Sequence, residues 1–423
     1  MNKKVWVAVT VVVAAAVLVL LFIASCVLCQ KEVGIINTFG KKSNDAFIIN
    51  RTNHLDSTSI KKEIKEICGW AWGYPGYYFY GNGIAKLKIG DDGYITNELL
   101  DAITNKDNYL EFPGKIISQL GKYFFLIQKE DGNYICRINE QDDKFTISGY
   151  IKTPCNRILY LSPYHLFCTT SKNDTIYMYP RMDKWDYLKD APKILKLGKS
   201  SFISGPEREY FTESLYIFDG QFLTHYNDDG SIDGTIKLDD VPINDRMILI
   251  GYFNVRDNNE VLFYDGFNAW GISFKDKKVL WKKQIDIIGN GVDRLGCYFV
   301  PTKQGIMAIS SNTGETKLII DGDGWKLVDS WGDNEHGTYS SGDIFVFIRQ
   351  LSNNKYEPVL ILATEGKAQV VTCAPFEGEY RGYIHLLDTS QNGYENYIDN
   401  NVFLTQCCVY QYSIRHPFKY VFK

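Results

Sequence analysis

The sequence repeats one pattern of short β-strands along most of its length. In each copy, an aromatic segment is followed by a turn, a second alternating segment, a turn rich in Asp, Asn and Gly, and a third segment. Three copies are clear, and they begin at Tyr78, Leu215 and Tyr298. Five weaker copies begin near Phe124, Leu166, Val261, Ile344 and Asn401. Such self-similarity predicts a repeat architecture, in which neighbouring copies bury each other's apolar faces.

The clear copies also predict individual strands, each bounded by turn residues. The predicted segments are 78–83, 84–89 and 94–95 in the first clear copy, 215–220, 222–226 and 234–238 in the second, and 298–302, 305–309 and 312–319 in the third.

The spacing of the copies favours a β-propeller, an all-β fold of small sheets arranged radially. Successive copies start about 46, 42, 49, 46, 37, 46 and 57 residues apart, and one four-stranded propeller blade takes about 40–50 residues. The 29 Tyr, 24 Phe and 35 Gly fit this fold, because each small sheet buries both faces and turns sharply. Eight copies predict eight blades, with seven as the next choice. The alternative is a β-sandwich followed by a second β domain.

The N-terminus predicts export or membrane anchoring. Two lysines precede an apolar run from Val5 to Cys29, which is long enough to cross a bilayer, and the positive-inside rule keeps Met1 cytoplasmic. The run is interpreted either as an uncleaved signal anchor or as a lipoprotein signal peptide. In the second case Ile23-Ala24-Ser25-Cys26 resembles the bacterial lipoprotein processing site, and Cys26 is the lipidation candidate. Both interpretations place the body outside the cytoplasm, in a bacterial periplasm or at a cell surface.

The segment 30–69 is more polar and predicts a stalk between membrane and body. Within it, Ile60, Ile64 and Ile67 recur at helical spacing, which predicts a short helix over residues 59–67. We therefore expect a signal segment at 1–29, a stalk at 30–69 and a propeller at 70–423.

Residues 279–320 resemble the PQQ-like (quinoprotein-type) propeller repeat. The resemblance rests on Trp281 at the end of an outer strand, followed by the segment 298–317 with Gly305, Ala308 and Thr313-Gly314. In that family these residues mark the third strand of a blade and its turn. Together with export and length, the stretch is similar to the propeller lipoprotein of the bacterial outer-membrane-barrel assembly machine. The resemblance implies the fold, and a fold does not determine a function.

The enzymes of that superfamily bind a quinone and Ca²⁺ in the central channel, beneath a vicinal disulfide. This chain has adjacent cysteines, Cys407 and Cys408, but their context, 403–410, predicts one strand with two free thiols on opposite faces. The sequence shows no assignable set of Ca²⁺ and base carboxylates. We therefore expect no quinone-dependent dehydrogenase activity and no cofactor.

The ten cysteines and six histidines give little indication of a metal-binding or catalytic site. The only metal-like cysteine spacing lies in the membrane segment, so no metal site is expected. A disulfide among Cys68, Cys155 and Cys168 is compatible with an oxidising compartment, but the sequence does not choose the pair. His225 lies in an alternating strand and is interpreted as structural. The Asp/Gly-rich segments 229–234 and 321–324 predict hairpin turns rather than calcium loops.

Charge and aromatic content point to a protein-binding role. The 46 basic and 50 acidic side chains give a net charge of −4, which argues against a nucleic-acid partner. No catalytic motif is present, so we expect a non-enzymatic scaffold that binds proteins or peptides through loops. The candidate anchors, which lie outside the predicted strands, are Trp70, Trp72, Trp325 and Trp331. The alternative is a carbohydrate-binding or carbohydrate-active propeller with aromatic and carboxylate side chains in a central pocket.

Overall fold

The structure of the chain is a computed structural model. It describes residues 38–39, 48–54, 64–68, 77–80, 83–86, 109–120, 124–141, 144–162, 164–181, 188, 191–197, 201–204, 215–227, 229–251, 260–294, 296–331, 343–364, 367–388, 398–405 and 408–415. These residues form strands, turns and connections without a helix. Within them the strands make eight sheets, seven of four strands and one of six.

The first two strands precede the regular series and join sheets at the far end of the chain. They are β1 (Thr38–Phe39) and β2 (Ile48–His54).

Sheets 1 to 4 then follow in chain order. Sheet 1 contains β3 (Ile64–Cys68), β4 (Tyr77–Tyr80), β5 (Gly83–Lys86) and β6 (Tyr109–Glu111). Sheet 2 contains β7 (Lys115–Leu120), β8 (Phe124–Lys129), β9 (Gly132–Gln141) and β10 (Lys144–Thr153). Sheet 3 contains β11 (Arg157–Leu161), β12 (His165–Thr169), β13 (Thr175–Pro180) and β14 (Lys193–Lys196). Sheet 4 contains β15 (Phe202–Ser204), β16 (Leu215–Phe218), β17 (Phe222–Tyr226) and β18 (Ile232–Lys237).

Sheets 5 to 8 complete the series. Sheet 5 contains β19 (Ile248–Ile250), β20 (Glu260–Tyr264), β21 (Asn268–Ser273) and β22 (Lys278–Gln284). Sheet 6 contains β23 (Val292–Arg294), β24 (Cys297–Thr302), β25 (Gly305–Ser310) and β26 (Thr316–Asp321). Sheet 7 contains β27 (Trp325–Trp331), β28 (Asp343–Ser352), β29 (Lys355–Thr364), β30 (Lys367–Thr372), β31 (Phe376–Glu377) and, parallel to β30, β1. Sheet 8 contains β32 (Tyr380–Asp388), β33 (Ile398–Thr405), β34 (Cys408–Arg415) and β2.

Successive sheets pack face to face through apolar cores. Phe218, Phe263 and Trp270 lie together between sheets 4 and 5, and Phe299 and Phe345 meet between sheets 6 and 7. Similar cores join each of the other consecutive pairs from sheet 1 to sheet 8. A small sheet that buries both faces against its neighbours is the unit of a β-propeller.

The last sheet is completed by the first part of the chain. Strand β2 pairs antiparallel with β34, so that Ile48 lies opposite Ile414 and His54 opposite Cys408. The first strands of sheets 8 and 1, β32 and β3, contact each other. The series of sheets thus returns to its start, which confirms the all-β propeller predicted from the repeats.

The sequence copies correspond to the second strands of the sheets. The copies that start at Tyr78, Leu215 and Tyr298 contain β4, β16 and β24, and the weaker copies coincide with β8, β12, β20, β28 and β33. The sequence did not reveal the first strands, because several are only three residues long, such as β19 and β23. In the first clear copy the third strand is β6 and not the predicted 94–95, which lies outside the described residues.

Three other predictions from the sequence differ from the structure. The helix predicted over 59–67 is wrong at its C-terminal half, because residues 64–68 form β3 and pair with β4. The segment predicted as a stalk also supplies β2, since the last sheet needs a fourth strand to cover its edge. The single strand predicted over 403–410 is instead two antiparallel strands, β33 and β34, with residues 406–407 outside the described part.

The predicted membrane segment, Val5 to Cys29, lies outside the described residues. Among the residues that the structure does describe, no helix is long and apolar enough to span a bilayer.

The tryptophan of the PQQ-like stretch fastens sheet 5 to sheet 6. Trp281 on β22 donates from Nε1 to the carbonyl oxygen of Ser311 at 2.6 Å. Its ring also covers Gly314, where a Cβ would lie 2.5 Å from the ring and where the backbone φ of 65° favours glycine. The Thr313-Gly314 turn is therefore shaped by the tryptophan of the preceding sheet.

Candidate functional site

Each of sheets 1 to 6 is built from four consecutive strands and has one end at which the chain enters and leaves it. Strand directions alternate, so the turn between the second and third strands lies at the same end as the connection to the next sheet. We call this the connection end, and the other the opposite end. In sheets 4 to 6 the two kinds of loop contact each other: Val241 N donates to Gly220 O at 3.0 Å, and Ile288 N donates to Pro301 O at 3.0 Å.

The connection end of sheet 5 is organised by a buried aspartate. Asp265 directly follows β20 and is 1% exposed. Its Oδ1 accepts hydrogen bonds from the backbone N–H groups of Phe267 and Asn268 at 2.8 and 2.7 Å. Its Oδ2 accepts from Trp270 Nε1 at 2.8 Å and Asn268 Nδ2 at 3.2 Å. Both carboxylate oxygens are therefore used to fix the turn.

The same contacts determine the charge state of Asp265. Burial by itself raises the pKa of the carboxyl group, but the hydrogen bonds from Asn268, Trp270 and Phe267 outweigh it, and the pKa lies below its ordinary value. Asp265 is thus an ionised acceptor at neutral pH. Charge-assisted hydrogen bonds of this kind are stronger than neutral ones, and they make the turn rigid.

The turn presents Phe267 to solvent. Gly266 has a φ of 97°, which lets the chain reverse between Asp265 and Phe267. The Phe267 side chain is 63% exposed, and the guanidinium carbon of Arg246 lies 5.7 Å from its ring centre. Arg246 Nη2 also donates to Tyr264 Oη at 3.1 Å, and that hydroxyl donates to Gly266 O at 3.0 Å. The backbone of the turn and the arginine beside the ring are therefore both held by buried partners, Asp265 and Tyr264.

Neighbouring sheets use the same device at the equivalent turn. In sheet 4, Asp219 Oδ1 accepts from the backbone N–H groups of Gln221 and Phe222 at 2.9 and 2.8 Å. In sheet 6, Thr302 Oγ1 accepts from Gln304 and Gly305 N–H at 3.2 and 3.3 Å. A short side-chain acceptor directly after the second strand is the local reason that these turns form.

Other exposed apolar and charged side chains lie at the same end, in the connections before and after sheet 5. Ile243 is 37% exposed and precedes Asn244, whose Nδ2 donates to Asp265 O at 2.9 Å. Ile288 is 40% exposed and lies in the next connection. In that connection Asp286 interacts electrostatically with Tyr264 and forms an ion pair with Lys303 at 3.3 Å. We call this surface the connection-end patch, defined by Ile243, Arg246, Phe267, Asp286, Ile288 and Lys303.

Of the four predicted tryptophan anchors, the structure describes the side chain of Trp325, and that side chain does not belong to this patch. Trp325 is 2% exposed and packs in the core between sheets 6 and 7, with the guanidinium carbon of Arg349 4.6 Å from its ring centre. The prediction that Trp325 is a surface anchor is therefore wrong, because the ring fills the space between two sheets. Trp331 ends β27 opposite Ile344, and its side chain lies outside the described part. Trp70, Trp72 and the lipidation candidate Cys26 also lie outside it.

The remaining predicted residues have structural surroundings. His225 is buried, and its Nδ1 lies 2.9 Å from Asp233 Oδ2. Burial lowers the pKa of His225, although Asp233 acts in the opposite direction. The segments 229–234 and 321–324 lie at hairpin and connection turns, with positive φ at Gly230, Gly322 and Gly324. Over the described ranges, no group of three or more His, Cys, Asp and Glu side chains is arranged to hold a metal ion.

Two of the three cysteines considered for a bridge are brought together. Cys155 and Cys168 are buried in the same core between sheets 2 and 3. Cys68 ends β3 in sheet 1, and its side chain is not described.

Phe267 was not among the residues predicted from the sequence, although the sequence contains a signal for it. The run 261–268 reads as an apolar strand, Asp-Gly, and then an aromatic residue at the turn. An Asp-Gly turn places the residue after Gly on the outside of the hairpin. An aromatic residue there has no core to fill and is a candidate contact residue.

Comparisons with known proteins give a fold and no family. No protein-family model matches the chain, and no curated protein matches it by sequence. Among solved structures, the chain is similar to BamB from Moraxella catarrhalis, with a TM-score of 0.47 and 9% identity over 87% of this chain and 97% of that chain.

Two further matches are of other kinds. The WD40 domain of Toxoplasma gondii coronin has a TM-score of 0.45 and 9% identity over 90% of this chain and 91% of its own. The dihydro-heme d1 dehydrogenase NirN, in complex with DHE, has a TM-score of 0.43 and 11% identity over 74% and 68% of the two chains. At such scores the matches carry no functional argument, and the propeller assignment rests on the sheet order of this chain.

Proposed function

We propose that this chain is a membrane-tethered, eight-bladed β-propeller that acts outside the cytoplasm as a non-enzymatic scaffold. In this proposal the connection-end patch binds a protein or peptide partner. The single observation that carries the proposal is Phe267, an aromatic side chain held in solvent by a buried, ionised aspartate and an arginine.

The energetics of Phe267 support binding rather than stability. A phenylalanine gains about 1.5–3 kcal/mol when it is fully buried, and Phe267 is 63% exposed. The turn is fixed by Asp265 and places the ring outside the core. An aromatic residue beside an arginine, with Ile243 and Ile288 exposed at the same end, has the composition of a protein-interface centre. The exposed ion pair between Asp286 and Lys303 has the polar character of the rim of a protein interface.

The tether and the blade number are supported by the sequence. The apolar run from Val5 to Cys29 is long enough to anchor the chain, and it precedes β2 by few residues. Eight sequence copies and the eight sheets of the described residues agree in number. The carbohydrate-binding alternative stays a sequence-based hypothesis, since no contact described above favours it.

The proposal is tested by photo-crosslinking from two matched positions. The photoreactive amino acid p-benzoyl-phenylalanine replaces Phe267 in one full-length variant and Tyr164 in another. Tyr164 is a suitable control because it is 62% exposed but lies at the opposite end, in the first turn of sheet 3. We expect a protein adduct from position 267 in intact membranes and none from position 164. The absence of a specific adduct at 267, or equal adducts at both positions, contradicts the proposal.

Affinity measurements on the captured partner provide the quantitative test. We expect Phe267→Ala to weaken binding about 10- to 100-fold, which corresponds to about 1.4–2.7 kcal/mol. Tyr164→Ala should leave affinity unchanged. Because both side chains are exposed, neither substitution should change the free energy of unfolding by more than about 0.5 kcal/mol.

A further inference from the structure

Cys155 and Cys168 are in contact in the core between sheets 2 and 3. Cys155 lies in the connection from β10 to β11, and Cys168 lies in β12. Both side chains are fully buried and belong to the same apolar core. The two thiols are hydrogen-bonded to each other. The fold has therefore placed one sulfur atom from a connection and one from a strand side by side.

A β-bulge orients Cys155 towards Cys168. Thr169 pairs with Arg157 in the neighbouring strand, and its carbonyl oxygen also accepts a hydrogen bond from Asn156 N at 3.0 Å. Asn156 and Arg157 therefore both lie opposite Thr169, which is the arrangement of a β-bulge. Side chains alternate between the faces of a strand, and the extra residue shifts this alternation by one. Cys155 consequently shares the face of Ile158, whose partner across the strands is Cys168.

Other hydrogen bonds hold Cys155 in place without any covalent link. Its backbone N–H donates to Thr153 Oγ1 at 3.1 Å, and its carbonyl oxygen accepts from Asn133 Nδ2 at 2.8 Å. Tyr179 Oη lies 2.7 Å from the same Thr153 hydroxyl. The contact between the thiols is thus a supported arrangement of the connection and not a chance approach of two mobile side chains.

The two thiols have different acidities. The hydrogen bond from Cys168 is the main reason that the pKa of Cys155 lies below its ordinary value. Burial, followed by the interaction with Cys155, raises the pKa of Cys168. Because the thiolate is the nucleophile in thiol chemistry, the lower pKa favours Cys155 over Cys168 as the attacking group when local opening or refolding exposes the buried pair.

We propose that Cys155 and Cys168 form a reversible intramolecular disulfide by exchange with a low-molecular-weight disulfide. The Cys155 thiolate attacks one sulfur of that disulfide, which forms a mixed disulfide and releases the first small thiol. Cys168 then loses its proton and attacks the Cys155 sulfur, which releases the second small thiol. In total, two protein thiols become one disulfide while one external disulfide becomes two thiols.

The geometry selects this pair over the other described cysteines. Cys136 lies in the core between sheets 1 and 2, Cys297 in the core between sheets 6 and 7, and Cys373 in the core between sheets 7 and 8. The proposed bond joins the connection between sheets 2 and 3 to the second strand of sheet 3. It therefore locks one blade to the segment that enters it.

Trypsin makes the test direct, because it cuts between the two cysteines. Cleavage after Lys152, Arg157 and Lys172 gives two peptides, 153–157 and 158–172, with one cysteine each. The full-length chain in detergent is equilibrated with oxidised and reduced glutathione, both as native protein and during refolding, and free thiols are then alkylated after denaturation. We expect the two peptides as one linked species about 2 Da lighter than their sum, and their separation by dithiothreitol.

The wild-type measurement does not depend on whether any variant folds. Alkylation of both peptides under every oxidising condition, or a link from either peptide to another cysteine, overturns the proposal. Two variants add controls. Cys155→Ser should abolish the linked species and leave Cys168 alkylated, while Cys373→Ala should leave the link unchanged.

Discussion

The hydrogen bonds of Asp265 predict a large and specific effect of Asp265→Asn. Asparagine keeps one oxygen, which can still accept from the backbone N–H groups of Phe267 and Asn268. Its amide nitrogen replaces the other oxygen and then faces two donors, Trp270 Nε1 and Asn268 Nδ2. Each hydrogen bond to a charged group contributes about 1.5–3 kcal/mol, so losing two of them should lower the free energy of unfolding by about 3–6 kcal/mol.

The assay is urea unfolding of the full-length chain, followed by tryptophan fluorescence. Trp270 lies at the substituted site and reports local opening as well as global unfolding. The matched control is Asp229→Asn, since Asp229 is an exposed turn aspartate whose Oδ1 accepts from Ser231 N at 2.8 Å. Asparagine can keep that bond, and the expected change is about 0.5 kcal/mol or less. Equal midpoints for the two variants refute the reasoning about Asp265.

The pH dependence of Asp265 gives a second test of the same prediction. Its folded-state pKa lies below the ordinary value of 3.8, so folding favours the ionised form. The stability contributed by the carboxylate is then complete above that value and is lost as the pH falls through the lowered pKa. The difference between wild type and Asp265→Asn should stay constant from about pH 8 to about pH 5 and shrink below about pH 4.

Two other substitutions test the core. Gly271→Ala should lower the free energy of unfolding by about 1–3 kcal/mol or more, because the added Cβ would lie 2.2 Å from the Trp281 ring. The control is Gly149→Ala, where no atom lies within 4 Å of the added Cβ, and it should change the stability in urea little. The lowered pKa of His225 disfavours protonation in the folded state, so wild-type stability should fall as the pH drops below about 6.5, and His225→Gln should remove that part of the slope. If the free energy of unfolding of His225→Gln has the same slope as wild type between about pH 8 and about pH 5.5, His225 is not the source of that slope.

The fold was predictable because its second strands carry a strong local signal. Aromatic and branched residues alternate in them, and Asp-Gly turns follow, as at Asp219 and Asp265. The first strands and the contribution of β2 were not predictable in this way. A three-residue strand has no measurable period, and the isoleucines of residues 60–67 fit a helix until β4 is present as a partner.

The candidate site was less predictable than the fold. Tryptophan side chains outside the predicted strands were reasonable anchors, but exposure depends on which sheet faces the ring. Trp325 lies at the start of a first strand and is covered by the preceding sheet, whereas Phe267 lies on a turn and is 63% exposed. Only the three-dimensional packing distinguishes these two aromatic residues.

The pairing of β2 with β34 has a consequence for synthesis of the chain. Strand β2 is made before β3 to β33 and finds its partner only when β34 has been made, so the ring stays incomplete while all the sheets between them are synthesised. During that period the edges of sheets already formed are open to wrong partners. The entropic cost of closing so long a loop grows only with the logarithm of its length. The distance between β2 and β34 in the sequence therefore delays their pairing but adds little to its free-energy cost. Loss of the last strand should therefore leave the ring open and the early strand unpaired, although most of the sheets would already be complete.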